Sequence, residues 1–114
     1  MCGGKIHRAT VTQTDITYHG SITVDEDLMD TAGMLPYEKV QVYDLDNGAR
    51  IETYLVPGGR GSGDVCINGA AARLILKGDR VIIVNFVFLD DKEARKHKPI
   101  IVLVDDKNRP VKKM

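Results

Sequence analysis

Residues 80–89 read RVIIVNFVFL, a strongly apolar run near the middle of the second half of the chain. Residues 81–84 are all β-branched, and such side chains favour strands over helices. The run therefore predicts a central strand, around which the remaining elements are arranged.

Shorter strand-like runs lie on both sides of this central strand. They carry β-branched residues and are separated by turn signals such as the Asp-Asn-Gly sequence at 46–48, which predicts a hairpin. The predicted strands are 5–13, 16–24, 39–45, 49–56, 64–67 and 99–105, and the predicted short helices are 25–33, 68–76 and 91–98. At least six short strands with helices between them, in 114 residues, predict one mainly β domain over residues 1–114, folded as a small closed barrel.

Charge and composition narrow the classes of function. The 16 basic and 16 acidic residues cancel, which argues against a broad nucleic-acid-binding surface. No run reaches the ~18 apolar residues of a membrane span, and no signal peptide is visible, so we expect a cytoplasmic protein without a membrane partner. Cys2, Cys66 and the three histidines lack metal-ligand or disulfide spacing, so no metal site is predicted, and Cys66 is expected to be buried.

The predicted strand 16–24 contains a Gly20-Ser21 pair. A glycine inside a strand usually marks a bulge or a close backbone approach, and this is its commonest explanation. The pair also permits a rearrangement in which the Ser21 hydroxyl attacks the Gly20 carbonyl carbon and turns the peptide into an ester. Loss of the Ser21 α-proton then eliminates the ester, and the resulting dehydroalanine hydrolyses to a pyruvoyl group and ammonia. Glycine leaves the attack unobstructed and tolerates strain.

Other polar residues carry weaker signals. Lys5 and His7 lie two apart in a predicted strand and share a face, whereas Thr53 and Tyr54 are adjacent and point to opposite faces. Taken alone, such residues are most often surface charges or cross-strand pairs. The glycine-rich segment 57–63 lacks the spacing of a phosphate-binding loop and precedes a strand, so it is predicted to be a plain flexible loop.

Several motifs in one order resemble the pyruvoyl-dependent aspartate 1-decarboxylases. They are GKIHRATVT at 4–12, YHGS at 18–21, NGARIETY at 47–54, RGSG at 60–63, NGAAA at 68–72 and GDRVII at 78–83. The resemblance covers roughly residues 4 to 105 and implies a double-psi β-barrel that assembles as a homotetramer with active sites between subunits. It also implies self-cleavage into a β chain, residues 1–20, and an α chain, residues 21–114, whose covalent pyruvoyl group derives from Ser21.

The reaction implied by the resemblance is loss of the α-carboxylate from L-aspartate, which gives β-alanine and carbon dioxide for pantothenate and coenzyme A synthesis. The substrate amine forms a Schiff base with the pyruvoyl ketone, which then accepts the electron pair of the departing carbon dioxide. Neither pyridoxal phosphate nor a metal is expected. Whether the cleavage needs a maturation factor is left open.

The same resemblance implies roles for individual residues. Thr53 assists cleavage through the Gly20 carbonyl, and Tyr54 donates a proton to the carbanion. Arg50 is suited to grip a substrate carboxylate with two hydrogen bonds, and Lys5 adds a second positive charge. The other expected substrate-binding residues are Asn68, Gly69, Ala70 and Ala71, with His7 and Tyr18 in supporting positions.

Two alternatives stay open on the sequence alone. One is a non-catalytic double-psi barrel that serves as a binding module, since a fold does not fix a function. The other is a pyruvoyl enzyme that decarboxylates a different amino acid. A binding module would not need the combination of Gly20-Ser21, Arg50, Thr53 and Tyr54, which argues against the first alternative. Two positive charges, Arg50 and Lys5, favour a dicarboxylic amino acid as the substrate, which argues against the second.

Overall fold

A computed structural model describes the backbone of residues 1–113 and the side chains of residues 1–111, so Met114, the end of the expected α chain, lies outside it. The described part contains nine strands, two α-helices and one 3₁₀ helix. The strands are β1 Cys2–Thr10, β2 Gln13–Asp15, β3 Ser21–Asp25, β4 Lys39–Asp44, β5 Arg50–Gly58, β6 Val65–Asn68, β7 Arg80–Phe86, β8 Ile100–Val104 and β9 Pro110–Lys113. The helices are α1 Glu26–Thr31, α2 Asp91–Arg95 and the 3₁₀ helix Gly69–Arg73.

The strands form one curled sheet in the order β2-β6-β3-β5-β4-β7-β1-β8-β9. β2 is first in this order and β1 is seventh, yet only Val11 and Thr12 separate them along the chain. The sheet must therefore bend back on itself, and the backbone N–H of Thr12 donates to the carbonyl of Val65 at 2.8 Å across the junction. The mainly β class is confirmed, and the curled sheet agrees with the double-psi barrel that the resemblance implies.

The predicted central strand is confirmed as β7, which lies between β4 and β1 and pairs antiparallel with both. The inner face of the barrel is apolar, as in Ile22 and Val24 of β3 and Ile67 of β6, which are all fully buried. Because side chains alternate along a strand, their neighbours point to the outer face. That face therefore carries Ser21 and Thr23, and all the polar chemistry of these two strands lies outside the core.

The predicted strand 16–24 is wrong in its first half. Residues 16–20 form an exposed turn between β2 and β3, so Gly20 is in a loop and not in a strand interior. The Asp15 carboxylate accepts hydrogen bonds from the Thr17 backbone N–H at 3.0 Å and the Thr17 hydroxyl at 2.8 Å. Such a short side chain competes with the sheet for backbone donors and starts a turn.

Two further expectations about elements need correction. The predicted helix 68–76 shrinks to the five-residue 3₁₀ helix, whose first residue, Gly69, has a left-handed φ of 76° that an α-helix does not allow. The run 99–105 is not the last strand, because β9 follows and pairs antiparallel with β8. Cys66 is only half-buried, since it lies on the outer face of β6. The other two predicted helices are confirmed as α1 and α2.

The glycine-rich loop is anchored against α1. The buried Asp25 carboxylate caps α1 and accepts the backbone N–H groups of Gly61 at 3.0 Å and Gly63 at 2.9 Å. Burial acts to raise the pKa of Asp25, but these backbone donors outweigh it and lower the pKa. Arg60 contacts the Asp27 and Asp30 carboxylates, each at 2.7 Å. The RGSG motif thus holds this loop in place against α1.

In the described part of the chain, the helices are all too short to cross a membrane.

Candidate active site

Ser21 is the first residue of β3 and only 2% of its surface is exposed. Its hydroxyl donates a hydrogen bond to the carbonyl of His19 at 3.2 Å. The Ser21 Oγ also accepts a hydrogen bond from the Asn68 amide, with Nδ2 at 3.1 Å. The serine side chain is therefore held at the point where the exposed turn enters the sheet, directly beside the Gly20-Ser21 peptide.

Asn68 is the last residue of β6 and pairs with Ser21 across the antiparallel strands. It precedes the 3₁₀ helix, but its side chain makes no capping hydrogen bond. The amide turns instead to β3, where Nδ2 donates both to Ser21 and to the Thr23 hydroxyl at 3.0 Å. Because the Ser21 proton is used on His19, its oxygen must accept from Asn68, and this fixes which end of the amide faces the serine.

Gly69 makes the closest backbone approach to the expected cleavage site. A Cβ built on Gly69 would lie 2.7 Å from the Gly20 Cα and 2.8 Å from the Gly20 nitrogen, and the φ of Gly69 is already left-handed at 76°. Gly20 has open space where a Cβ would be, and its φ is outside the left-handed region. The close backbone approach that the sequence predicted at Gly20 is present, but Gly69 is the residue that must be a glycine to allow it.

Thr53 and Tyr54 flank this corner from the next strand. β5 runs parallel to β3, and Ile22 pairs with the core residue Leu55. One step earlier along both strands, Tyr54 comes beside Ser21 on the outer face. Thr53 lies on the opposite face and is half-buried, whereas Tyr54 is 40% exposed. The prediction that these two residues face opposite sides is confirmed.

Arg50 stays apart from the Ser21 corner. Its guanidinium lies over the Tyr43 ring, 3.8 Å from the ring centroid. Tyr43 belongs to β4, and β4 flanks β5 on the side away from β3. Arg50 also precedes Tyr54 by four residues, which is ~13 Å along an antiparallel strand. The side chain thus points away from the serine of its own chain.

Lys5 and His7 lie on the outer face of β1, as their spacing predicted. Three strands, β7, β4 and β5, separate β1 from β3 in the sheet order. Burial lowers the pKa of His7, and the positive charges of Lys5 and Arg8 lower it further. In residues 1–111, no hydrogen bond or ion pair joins Lys5, His7 or Arg50 to Ser21 or Asn68.

A depression of about 200 Å³ opens beside the Ser21 corner. Thr23 and Cys66 line it, and neither was identified from the sequence, although Thr23 follows Ser21 by two residues and so shares its face. Ala70 and Ala71 line a different depression of about 330 Å³, against Ile51 and Leu74. The residues lining the first depression are Gln13, Asp15, Tyr18, Thr23, Cys66 and Asn68.

One acidic cluster lies elsewhere in the described chain. Asp44, Asp46 and Asp79 each bring a carboxylate oxygen within 4.8 Å of the others at the turn that leads into β5. Asp44 is buried, and its Oδ2 has no hydrogen-bond partner. Burial and the neighbouring Asp79 carboxylate raise the pKa of Asp44 to about 6. The cluster is far along the sheet from the Ser21 corner and takes no part in its chemistry.

Comparison with known proteins gives one consistent result. The profile of the aspartate decarboxylase family matches residues 1–111. The aspartate 1-decarboxylase of Bacillus subtilis (strain 168) is 55% identical over 109 residues, which cover 96% of this chain and 86% of that protein. The enzyme of Heliobacterium modesticaldum is 58% identical, covering 96% and 83%, and that of Lactiplantibacillus plantarum is 56% identical, covering 100% and 88%.

Proposed function

Because the chain belongs to the aspartate decarboxylase family, we propose that it makes a pyruvoyl group from its own Ser21 and uses it on aspartate. The activity itself follows from the family: the enzyme is a lyase that decarboxylates L-aspartate to β-alanine and carbon dioxide, which serves pantothenate synthesis. The observation that carries the proposal for the site is the Ser21 hydroxyl, held by Asn68 at 3.1 Å beside a Gly20 that packs against Gly69.

Maturation begins with attack of the Ser21 Oγ on the carbonyl carbon of Gly20. The Gly20–Ser21 C–N bond breaks and an ester forms. Loss of the Ser21 α-proton then eliminates the ester and releases residues 1–20, whose new Gly20 carboxylate contains the former Ser21 Oγ. The dehydroalanine left at residue 21 is hydrolysed to the pyruvoyl group, and ammonia is released. Thr53 precedes Tyr54 on β5, the strand that pairs with β3, so we assign its hydroxyl to the Gly20 carbonyl oxygen, where one such donor is typically worth ~10²-fold in rate.

The residues around Ser21 fit a pyruvoyl group at that position. Asn68 is 6% exposed, and one of its amide N–H groups is aimed at the Ser21 Oγ. Once that oxygen leaves with residues 1–20, the buried donor needs a new acceptor. A carbonyl oxygen on residue 21 is such an acceptor. When present, the pyruvoyl group supplies a sink for the electron pair left by departing carbon dioxide.

The substrate side of the site uses residues of the outer face. Tyr54 lies beside residue 21, and its phenol O–H is a hydrogen-bond donor, so it is suited to return a proton to the carbanion. Arg50 and Lys5 supply the positive charges that two carboxylates of aspartate require, and a planar guanidinium holds a carboxylate with two hydrogen bonds. The Gly69–Ala71 backbone is assigned to substrate binding, and His7 and Tyr18 are assigned supporting positions.

We further propose a homotetramer in which neighbouring subunits complete each site. Arg50 lies on the β4 side of β5, away from Ser21 of the same chain, and no hydrogen bond or ion pair joins Lys5 to Ser21 in residues 1–111, so we infer that a second chain brings these charges to the site. Large aromatic side chains also stand exposed on or near the outer face, including Tyr37, Phe86 and Phe88, of which Tyr37 is 74% exposed. Exposed aromatic patches of this kind are typical of protein interfaces. The assembly and the cytoplasmic location are proposals.

Intact-protein mass spectrometry and an aspartate assay on the same sample test the proposal. We expect two fragments split after Gly20, with the larger one lighter by one ammonia than a chain that starts with serine. We also expect release of β-alanine from L-aspartate and much less product from other amino acids. Cleavage only after addition of lysate from the source organism would indicate a maturation factor. A chain that stays intact in both conditions contradicts the proposed maturation.

A further inference from the structure

We propose that Thr23 is a positioning residue of this site, which fixes the amide of Asn68 and through it the reacting atoms of residue 21. The inference rests on the proposed function. Thr23 follows Ser21 by two residues on β3, and its hydroxyl accepts a hydrogen bond from Asn68 Nδ2 at 3.0 Å. It also lines the depression beside the serine.

The Asn68 amide has two N–H groups, and β3 uses both. One points to the Ser21 Oγ at 3.1 Å and the other to the Thr23 Oγ1 at 3.0 Å. A single hydrogen bond leaves an amide free to rotate about its terminal torsion, whereas two acceptors on one strand define the plane of the group. Thr23 therefore supplies the second point that holds the donor toward residue 21.

Thr23 is itself held in one orientation. Its Cγ2 would lie 3.1 Å from a Cβ built on Gly58, so the methyl group packs closely over the backbone of β5. A β-branched residue has few allowed χ1 rotamers. Because the methyl group packs on β5, the remaining rotamer places the hydroxyl toward Asn68. The glycine at 58 provides the room for this contact, and a larger residue there would displace the threonine.

The role of Thr23 grows after cleavage. Before cleavage, the Ser21 hydroxyl donates to His19 and must accept from Asn68, so the serine and Thr23 hold the amide together. The serine oxygen then leaves with residues 1–20. After cleavage, the Thr23 hydroxyl is the acceptor on β3 that remains unchanged for the Asn68 amide. The other acceptor must then be the group formed at residue 21. Loss of the Thr23 hydroxyl should therefore slow turnover at least as much as cleavage.

The test compares Thr23→Val with Thr23→Ser. Valine keeps the shape and removes the hydroxyl, whereas serine keeps the hydroxyl. Loss of one neutral hydrogen bond should slow cleavage and lower kcat by about 3- to 10-fold in Thr23→Val. The KM for aspartate should change less than about twofold, since Asn68 is assigned to residue 21 and not to the substrate carboxylates. Thr23→Ser should stay within about twofold of the unmodified enzyme in both rates.

Thr31→Val is the matched control. The Thr31 hydroxyl bonds only to the Asp27 carbonyl inside α1, at 2.9 Å. Its loss should lower the melting temperature without changing either rate. Should Thr23→Val fail to fold, Thr23→Ala removes the same hydroxyl and replaces it in the comparison.

Three results would overturn the inference. They are normal rates in Thr23→Val, a Thr23→Ser variant as slow as Thr23→Val, and an equal loss in Thr31→Val. A failure of the unmodified chain to cleave or to decarboxylate aspartate would instead contradict the proposed function, so the two failures are distinguishable.

Discussion

Two regions of the outer face differ in how complete they are within one chain. The Ser21 corner is buried and closed by hydrogen bonds from Asn68, and Gly69 packs against it. The second region consists of the cationic side chains of Arg50 on β5 and Lys5 on β1, which are exposed and half-buried, and Arg50 rests on Tyr43 with no carboxylate partner among residues 1–111. This difference is the basis of our proposal that cleavage needs one chain, whereas substrate binding needs a neighbour.

The largest effect is expected for Ser21→Ala. Without the hydroxyl no ester can form, so we expect the chain to stay uncleaved and inactive. It should still fold, because alanine differs from serine only by the missing hydroxyl group and occupies the same space. Intact mass and the melting temperature check the outcome. Any cleavage after Gly20 in this variant contradicts the assigned nucleophile.

Gly69→Ala should damage the corner without removing a reacting group. The added Cβ would meet the Gly20 backbone at 2.7 Å, so Gly20 must shift, and a displacement of this kind can slow a reaction by ~100-fold. The measurement is the rate of fragment formation after synthesis.

Gly48→Ala is its matched control. Gly48 has a similar left-handed φ of 77°, but nothing lies within 4 Å of a Cβ built there. Both variants carry the same backbone strain, so only Gly69→Ala should cleave slowly. Equal cleavage rates in the two variants would show that the contact with Gly20 is unimportant.

Arg50→Ala should affect the second region alone. We expect cleavage at the normal rate, because Arg50 does not contact the corner. Loss of a charge-assisted contact of about 1.5–3 kcal/mol should lower kcat/KM for aspartate by ~10- to 100-fold. Arg50→Lys keeps the charge and should recover only part of the loss, since lysine cannot form the bidentate pair. Slow cleavage in Arg50→Ala would remove the distinction between the two regions.

The smallest effect on cleavage and activity is expected at Asp44, at the turn that leads into Arg50. Its pKa is raised to about 6 by burial and by Asp79, so the folded state is favoured while Asp44 is protonated. That stabilisation is full below the ordinary aspartate pKa and is lost as pH rises through about 6. Asp44→Asn should therefore raise the free energy of unfolding at pH 7.5 by up to about 3 kcal/mol. The variant should accordingly have a higher melting temperature than the unmodified chain.

The same variant should give no advantage near pH 4, where both chains are neutral at this position. Cleavage should be unchanged at either pH, because the cluster does not contact the Ser21 corner. A benefit of equal size at both values of pH would show that ionisation of Asp44 is not its cause.

Much of the fold follows from local pattern. The β7 run and the Asp-Asn-Gly hairpin were predictable, because β-branching and turn chemistry act within a few residues. The error at 16–20 arose because β-branched residues there imitate a strand, while one carboxylate, that of Asp15, turns the chain. The helix at 68–76 was overestimated because Gly69 has a left-handed φ of 76° that an α-helix does not allow, and the Gly20 backbone beside it is distant in sequence.

The candidate site was less predictable than the fold. The motifs implied Ser21, Asn68, Arg50 and the others as a set, but the sequence did not separate those that meet within one chain from those that do not. That separation depends on strand order, which places β4 and β3 on opposite sides of β5. Thr23 was missed because its role arises from a hydrogen bond across strands and not from any reactive group of its own.

Co-expression of Ser21→Ala with Arg50→Ala chains tests the central claim most directly. The first variant keeps Arg50 but makes no pyruvoyl group, and the second makes the group but lacks the arginine. If one chain supplies the corner and its neighbour the arginine, mixed assemblies contain some complete sites. The account predicts aspartate decarboxylation well above the sum of the two variants measured separately. Activity no greater than that sum, in assemblies shown by mass to be mixed, would contradict it.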